Sequence, residues 1–162
     1  MNNKIFPLTK IIFGIGSNIE NREQNIDNAV SKLIDNLELK NYKKSKFYAN
    51  KAMLPKNSPS SWDLEFLNIA FSGLIDINKF EPLNILKIIK KIETEIGRIE
   101  SARWSPRVID IDIILIDNLY FKNDELTIPH IGLFERDFFY KTAIEIEHDL
   151  IKKYEFFSKN NI

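Results

Sequence analysis

The chain has 162 residues, 44% hydrophobic and 28% charged, a globular rather than disordered balance, long enough for one domain with a sizeable core. Lys plus Arg equals Asp plus Glu at 23 each, so no global basic field supports bulk binding to nucleic acid or a membrane surface. The lack of cysteine excludes disulfides and thiolate chemistry, while short apolar runs and a start, MNNKIFPLTK, without an apolar signal core set a cytoplasmic location as the expectation.

KIIFGIGSN, residues 10–18, is a short apolar run ending in Gly, Ser and Asn, which predicts a buried strand and a turn. Ile26, Ala29, Val30, Leu33, Ile34 and Leu37 recur at helical spacing, so residues 25–37 should form an amphipathic helix. LELKNYKKSKFYAN alternates loosely and predicts a strand with a lysine-rich exposed face. KAMLPKNSPSSWD reads as a long loop. EFLNIAFSGLIDI is strand-like, with Phe66, Asn68 and Ala70 on one face and Leu67, Ile69 and Phe71 on the other.

PLNILKIIKKIETEIG predicts a second helix, with Pro82 in its first turn and Gly97 at its end. The polar RIESARWSPR leads into a strand, VIDIDIILI, and DNLYFKNDELTIPHIGLFER holds a hairpin and a Pro-His turn. RDFFYKTAIEIEHDL predicts the last helix, and residues from about 150 to 162 read as a polar tail or linker. This order fits a single domain over 1–162 of the α+β class. The expected fold is a ferredoxin-like antiparallel sheet with helices packed on one side, plus an extra C-terminal helix.

The chemistry concentrates in RWSPRVIDIDIILI. Asp110 and Asp112 sit two apart on a strand and so project from one face, while Ile109, Ile111, Ile113 and Leu115 take the other. Paired carboxylates repel unless a cation intervenes, and magnesium commonly takes one or two carboxylates together with substrate phosphates. A solvated strand face is the plain alternative. Arg98, Arg103 and Arg107 lie just upstream, with guanidinium forks suited to phosphate oxygens. They serve either a phosphoryl-transfer site or the direct neutralisation of Asp110, Asp112 and Glu100.

His130 follows Pro129 in a turn, and Arg136 adds a cation six residues on. A lone histidine is more often a loop or core residue than a functional one. Phe66, Trp104 and Phe138 suit either the core or stacking on a flat ligand. Asn68 suits either a heterocycle edge or a structural hydrogen bond. FGIGSNI carries G-x-G, but Ile19 stands in place of a third glycine, and no P-loop pattern occurs anywhere in the chain.

Four pieces in order, GSN at 16–18, FLNIA at 66–70, GRIESARWSPRVIDIDIIL at 97–115 and IPHIGLFERDFF at 128–139, resemble 6-hydroxymethyl-7,8-dihydropterin pyrophosphokinase of folate biosynthesis. The resemblance implies transfer of pyrophosphate from ATP to the pterin hydroxymethyl oxygen, with release of AMP. It implies two magnesium ions on Asp110 and Asp112, and a catalytic set of Arg98, Arg103, Trp104, Arg107, Asp110 and Asp112. Glu93, Arg98, Arg107, Ile113, His130 and Arg136 would line the ATP site, while Phe66 and Phe138 would sandwich the pterin, with Asn68 on its edge. ATP and the pterin are the implied partners, with no nucleic acid and no membrane. A further folate enzyme, fused or alongside, is a possible companion.

The chain departs from that family in three places. Glu100 stands where a second loop arginine is usual, and the loop at 97–103 is one residue short, so a phosphate contact is either lost or supplied by another residue, with Lys90 and Lys91 the candidates. ANKAMLP replaces a Thr-x-Pro, followed by a lengthened loop, and Ser105 replaces a glycine. Two other classes fit the sequence less well. A magnesium nucleotidyltransferase would have its Gly-Ser close upstream of D-x-D, and Gly16-Ser17 is half a domain away. An RNA-binding module would show a basic excess and an aromatic RNP-like strand.

Overall fold

A computed structural model describes residues 7–161; Ile162 and the N-terminal MNNKIF, part of the stretch read for a targeting signal, lie outside the described residues. The chain runs β1 (Thr9–Ser17), α1 (Arg22–Leu37), β2 (Lys40–Lys44), β3 (Tyr48–Asn50), a 3-10 turn (Ser60–Trp62), β4 (Phe66–Ile75) and α2 (Pro82–Ile96). It continues through β5 (Asp110–Ile116), the two-residue strands β6 (Phe121–Lys122) and β7 (Thr127–Ile128), then α3 (Asp137–Ile146) and α4 (His148–Lys159). The main sheet is antiparallel in the order β2-β4-β1-β5, with β3 also paired to β4. That is the ferredoxin-like α+β arrangement that the element order predicts.

Local chemistry sets the helix ends. The Asn21 side chain caps α1 by accepting the Gln24 N–H at 3.2 Å, and Glu38 leaves it in the left-handed region at φ 52°. Pro82 opens α2, and Gly97 closes it at φ 121°, where a side chain would be strained. The inward stripe of α1 (Ile26, Ala29, Leu33, Leu37) and that of α2 (Ile85, Ile89, Ile92) pack on one sheet face. The strands meet them there with Ile11, Phe13, Ile15, Ile69, Phe71, Ile111 and Ile113. Burying each such side chain is worth roughly 1.5–3 kcal/mol.

The second sheet face is divided. At one end α3 and α4 cover Ile12, Ala70, Ile114 and Leu115. At the other end the strands present Gly14, Gly16, Phe66, Asn68, Asp110 and Asp112 to an open cleft. The extra C-terminal helix of the sequence reading is thus two helices, lying opposite α1 and α2. Most of the stretch from about 150 to 162, expected as a polar tail, is helix as far as Lys159, because Ile151 and Tyr154 are buried against the sheet. The Tyr154 hydroxyl accepts the Asn118 N–H at 2.8 Å, and Glu147, between the two helices, meets Lys10 Nζ at 2.9 Å and the Ser72 hydroxyl at 2.8 Å.

Two other expectations need correction. The strand predicted across 37–50 is split by Ser45, whose N–H donates to the Ala70 carbonyl at 3.0 Å while its hydroxyl accepts the Ala70 N–H at 2.9 Å. Leu115 does not share the face of Ile111 and Ile113. Phe13 pairs with Ile113 but Ile12 pairs with Leu115, so Ile114 is an extra residue in a β-bulge, and Leu115 joins the α3–α4 side. No helix among the described residues is long and apolar enough to cross a membrane.

Since Ile151 is fully buried, Ile151→Ala should lower unfolding free energy by roughly 2–4 kcal/mol. Urea denaturation measures this, and an unchanged midpoint would mean that α4 does not dock.

Candidate active site

The cleft is about 310 Å³ in volume. Its floor is flat because β1 supplies glycine at both positions that face it. A Cβ on Gly16 would lie 2.5 Å from Asn68 Oδ1, and one on Gly14 would lie 2.7 Å from the Phe139 ring. The G-x-G that failed as a dinucleotide fingerprint therefore has a steric purpose. Those two glycines are the register partners of the carboxylates, Gly16 of Asp110 and Gly14 of Asp112.

One buried acid organises the cavity that adjoins the cleft. Glu93, 2% exposed on α2, accepts from Arg98 Nη1 at 2.6 Å and from the Ile111 N–H at 2.9 Å, both on Oε2. The same Arg98 nitrogen reaches Asp110 Oδ1 at 3.0 Å, and Arg107 Nη1 reaches Asp110 Oδ2 at 3.4 Å. Burial nonetheless pushes the Glu93 carboxyl up, with Arg98 and the Ile111 N–H pulling the other way. Arg98 is drawn to a still more basic value by Asp110 and Glu93, against its own desolvation.

Asp112 has no arginine in ion-pair range; His130 Nε2 is 3.9 Å from its Oδ1. Its carboxyl is pushed up to about 8, first by desolvation and then by the charges of Asp110 and Glu93, while Arg136 and Lys90 oppose. The side chain keeps about a third of its surface open to the cleft, so water screens part of that upward push. His130 is pushed down to about 4 by burial and by Arg136, with Asp110 opposing. Its Nδ1 accepts the Gly132 N–H at 2.9 Å, so the neutral ring carries its proton on Nε2, the atom that faces Asp112.

The cleft brings together Phe66, Asn68, Arg103, Trp104, Arg107, Asp110, Asp112, His130, Arg136 and Phe138. Glu93 and Arg98 stand in an adjoining cavity with Lys90, Glu100 and again Arg103 and Arg107. Ile113 lies in the core and borders a third, smaller cavity beside His130 and Thr127. Arg103 stacks on Trp104 at 4.9 Å, and Arg136 stands 5.5 Å from the Phe139 ring. Of the two candidate substitutes for the loop arginine, Lys90 lines this space and contacts Glu93 Oε1 at 3.5 Å, whereas Lys91 lines none of the three cavities.

Sequence reasoning passed over several contributors. Asn18, nearly buried, holds Arg107 from both backbone sides: its N–H donates to the Arg107 carbonyl at 3.3 Å and its Oδ1 accepts the Arg107 N–H at 2.8 Å. Its amide also donates to the Leu64 carbonyl at 3.3 Å, so one turn residue links the segments on both flanks of the cleft. Ser105, in the place of a glycine, donates to the Ala102 carbonyl at 2.6 Å and meets the Ser101 hydroxyl at 2.7 Å, closing the loop before Arg107. Asn50, Met53 and Phe139 complete the wall.

Comparison with known proteins gives a consistent set of relatives. The family model 7,8-dihydro-6-hydroxymethylpterin-pyrophosphokinase (HPPK) matches residues 12–148. The 2-amino-4-hydroxy-6-hydroxymethyldihydropteridine pyrophosphokinase of Aquifex aeolicus is 35% identical over 144 residues, covering 89% of this chain and 84% of its own. The folate synthesis bifunctional protein of Chlamydia caviae is 36% identical over 129 residues, 79% of this chain. This chain spans only 28% of that protein's length. Plasmodium falciparum HPPK-DHPS superposes with a TM-score of 0.57 at 13% identity, over 85% of this chain and 41% of that one, a likeness of fold.

The two shifted groups give opposite pH signatures. His130 binds its proton more weakly folded than unfolded, so its contribution to stability is full above about pH 6.5 and falls away toward pH 4. Asp112 binds its proton more tightly folded, so its contribution is full below about pH 4 and is lost as pH rises through about 8. His130→Asn should therefore flatten the acid limb of a urea-midpoint profile, and Asp112→Asn should gain on the wild type from pH 5 to 8. Parallel profiles would contradict both assignments.

Proposed function

The chain belongs to the 7,8-dihydro-6-hydroxymethylpterin-pyrophosphokinase family, and on that premise we propose that it transfers the pyrophosphoryl group of ATP to 6-hydroxymethyl-7,8-dihydropterin in folate biosynthesis. The hydroxymethyl oxygen attacks the β-phosphorus, the bond to the α-phosphate oxygen breaks, and AMP leaves. The observation that carries this reading is a single cleft with two carboxylates at its base, arginines and a neutral histidine along one side, and Phe66, Asn68 and Phe138 in the same wall.

The donor set fits magnesium, which takes carboxylate and phosphate oxygens and few protein ligands. Among the described residues no group of three or more His, Asp or Glu forms an all-protein cage, so Asp110 and Asp112 would hold two ions jointly with the triphosphate. Magnesium bound there supplies neutralisation of the triphosphate and acidification of the attacking hydroxyl. The chain's own groups do the rest. Arg98 and Arg107, resting on Asp110, turn to the phosphates once that carboxylate is engaged, while Glu93 keeps Arg98 from swinging free. His130 offers its Nε2–H to a phosphate oxygen. Lys90 supplies the cation that Glu100 displaces, and Arg103 and Arg136 face the transferring group from either wall.

Phe66 and Phe138 grip the pterin ring and Asn68 reads its edge, so that the ring is held with its hydroxymethyl toward the carboxylates. The chlamydial relative is a folate synthesis bifunctional protein, and a second folate enzyme, fused or alongside, belongs to this proposal as the consumer of the pyrophosphorylated product.

Mixing the protein with magnesium-ATP and 6-hydroxymethyl-7,8-dihydropterin should produce AMP in proportion to pterin, and pterin-independent or absent AMP would refute the reading. Chelation with EDTA should stop it. Asp110→Ala and Asp112→Ala should each reduce turnover by roughly a thousandfold or more with the circular dichroism spectrum preserved. Near-normal turnover in either would return the pair to a solvated strand face.

A further inference from the structure

Asn50 is the last residue of β3 and pairs in register with Phe66. It lines the cleft where the chain departs from the family's Thr-x-Pro, and its side chain is wired on both ends. Its Nδ2 donates to the Lys51 carbonyl at 2.9 Å. Because an amide has one donor end and one acceptor end, that bond leaves Oδ1 as the group turned to Asn68, and Oδ1 accepts from Asn68 Nδ2. The second amide is then fixed in turn. With Nδ2 committed to Asn50, Asn68 must show Oδ1 on the side of Gly16, where the missing side chain leaves the space that oxygen occupies.

We infer that Asn50 is a positioning residue that sets the hydrogen-bond polarity of the pterin-binding wall: the Lys51–Asn50–Asn68 relay locks Asn68 as an acceptor toward the ligand. The wall therefore selects a flat ring whose edge carries N–H or NH₂ donors and rejects an isosteric ring presenting a carbonyl there. An unlocked Asn68 would rotate by half a turn and serve either ring. The relay needs no charge and no contact between Asn50 and the ring. This inference rests on the proposed substrate class but concerns how the wall discriminates within it.

The test compares binding of 6-hydroxymethylpterin with that of its 2-oxo analogue, 6-hydroxymethyllumazine, by fluorescence titration. The wild type should favour the pterin by at least about tenfold, since a mismatched ring leaves a buried acceptor facing an acceptor. Asn50→Ala should bring the ratio to about threefold or less, with affinity for magnesium-ATP unchanged. Asn50→Asp keeps the acceptor for Asn68 and should keep the wild-type ratio. An unaltered ratio in Asn50→Ala, or equal weakening toward both rings and toward magnesium-ATP, would overturn the inference. Side-chain amide NMR gives a readout independent of ligand. The Asn68 NH₂ protons, assigned by their loss in Asn68→Asp, are distinct in any primary amide, and the one given to Asn50 should lie downfield and return toward the free-amide position in Asn50→Ala. If the wild type bound neither ring, the proposed function would fall, while the relay would still stand on an Asn68 amide proton that shifts in Asn50→Ala or fall on one that does not move.

Discussion

A single buried carboxylate determines how the parts of the cleft sit together. Glu93 comes from α2, its Oε2 takes the Ile111 N–H of β5, and the same oxygen takes Arg98 from the loop that follows the helix. Burial of the acid is unfavourable by itself, and that cost is what makes the geometry strict. Any movement of α2 relative to β5 leaves the charge without its partners. Helix, loop and strand are thereby held at one spacing, and Asp110, one residue before Ile111, inherits it. The arginine that neutralises Glu93 also touches Asp110, so the charge balance of the core and that of the cleft share one guanidinium.

Backbone close to the floor follows a complementary rule. The helix-covered face of β1 carries Ile11, Phe13 and Ile15, and the opposite face carries Ile12 and then glycine at 14 and 16. The change from Ile12 to glycine marks where the C-terminal helices stop and the open cleft begins. Phe139 stands on that boundary, edge-on to His130 at 4.9 Å and to Phe138 at 4.8 Å. One residue type, placed at two alternate positions, converts a sheet face from a packing surface into a floor.

Much of this was legible in the sequence for reasons that can be named. Period-two alternation in VIDIDI needs only a regular strand, and from it Asp110 and Asp112 are correctly assigned to one face. The same reasoning failed four residues on, because Ile114 and Leu115 are both apolar and nothing in the residue types marks the extra position. The C-terminal helix was hidden by dilution. Leu150, Ile151, Tyr154 and Phe157 do keep helical spacing, but Lys152, Lys153 and Glu155 between them, and the serine, lysine and asparagines after them, read as a tail. Glu93 was placed near the nucleotide pocket by resemblance alone, since an acid on an otherwise amphipathic helix carries no local sign that it is buried. Asn18 looked like a turn residue and Asn50 like a strand end, and they are. Their further importance lies in partners up to 89 residues away, which no window of sequence contains.

The bulge at Ile114 also determines where this strand tolerates a change of length. Loss of Ile114 would leave every pairing with β1 as it stands, Ile113 to Phe13 and Leu115 to Ile12, because the extra residue has no partner on β1, although its carbonyl takes the His130 N–H at 2.8 Å. Loss of Ile111 would instead shift the strand by one and turn a carboxylate toward α1 and α2. The register with β1 thus survives a one-residue loss only in the half of β5 that lies under the C-terminal helices. The half that carries the acids is fixed in its residue count as firmly as in its residue types.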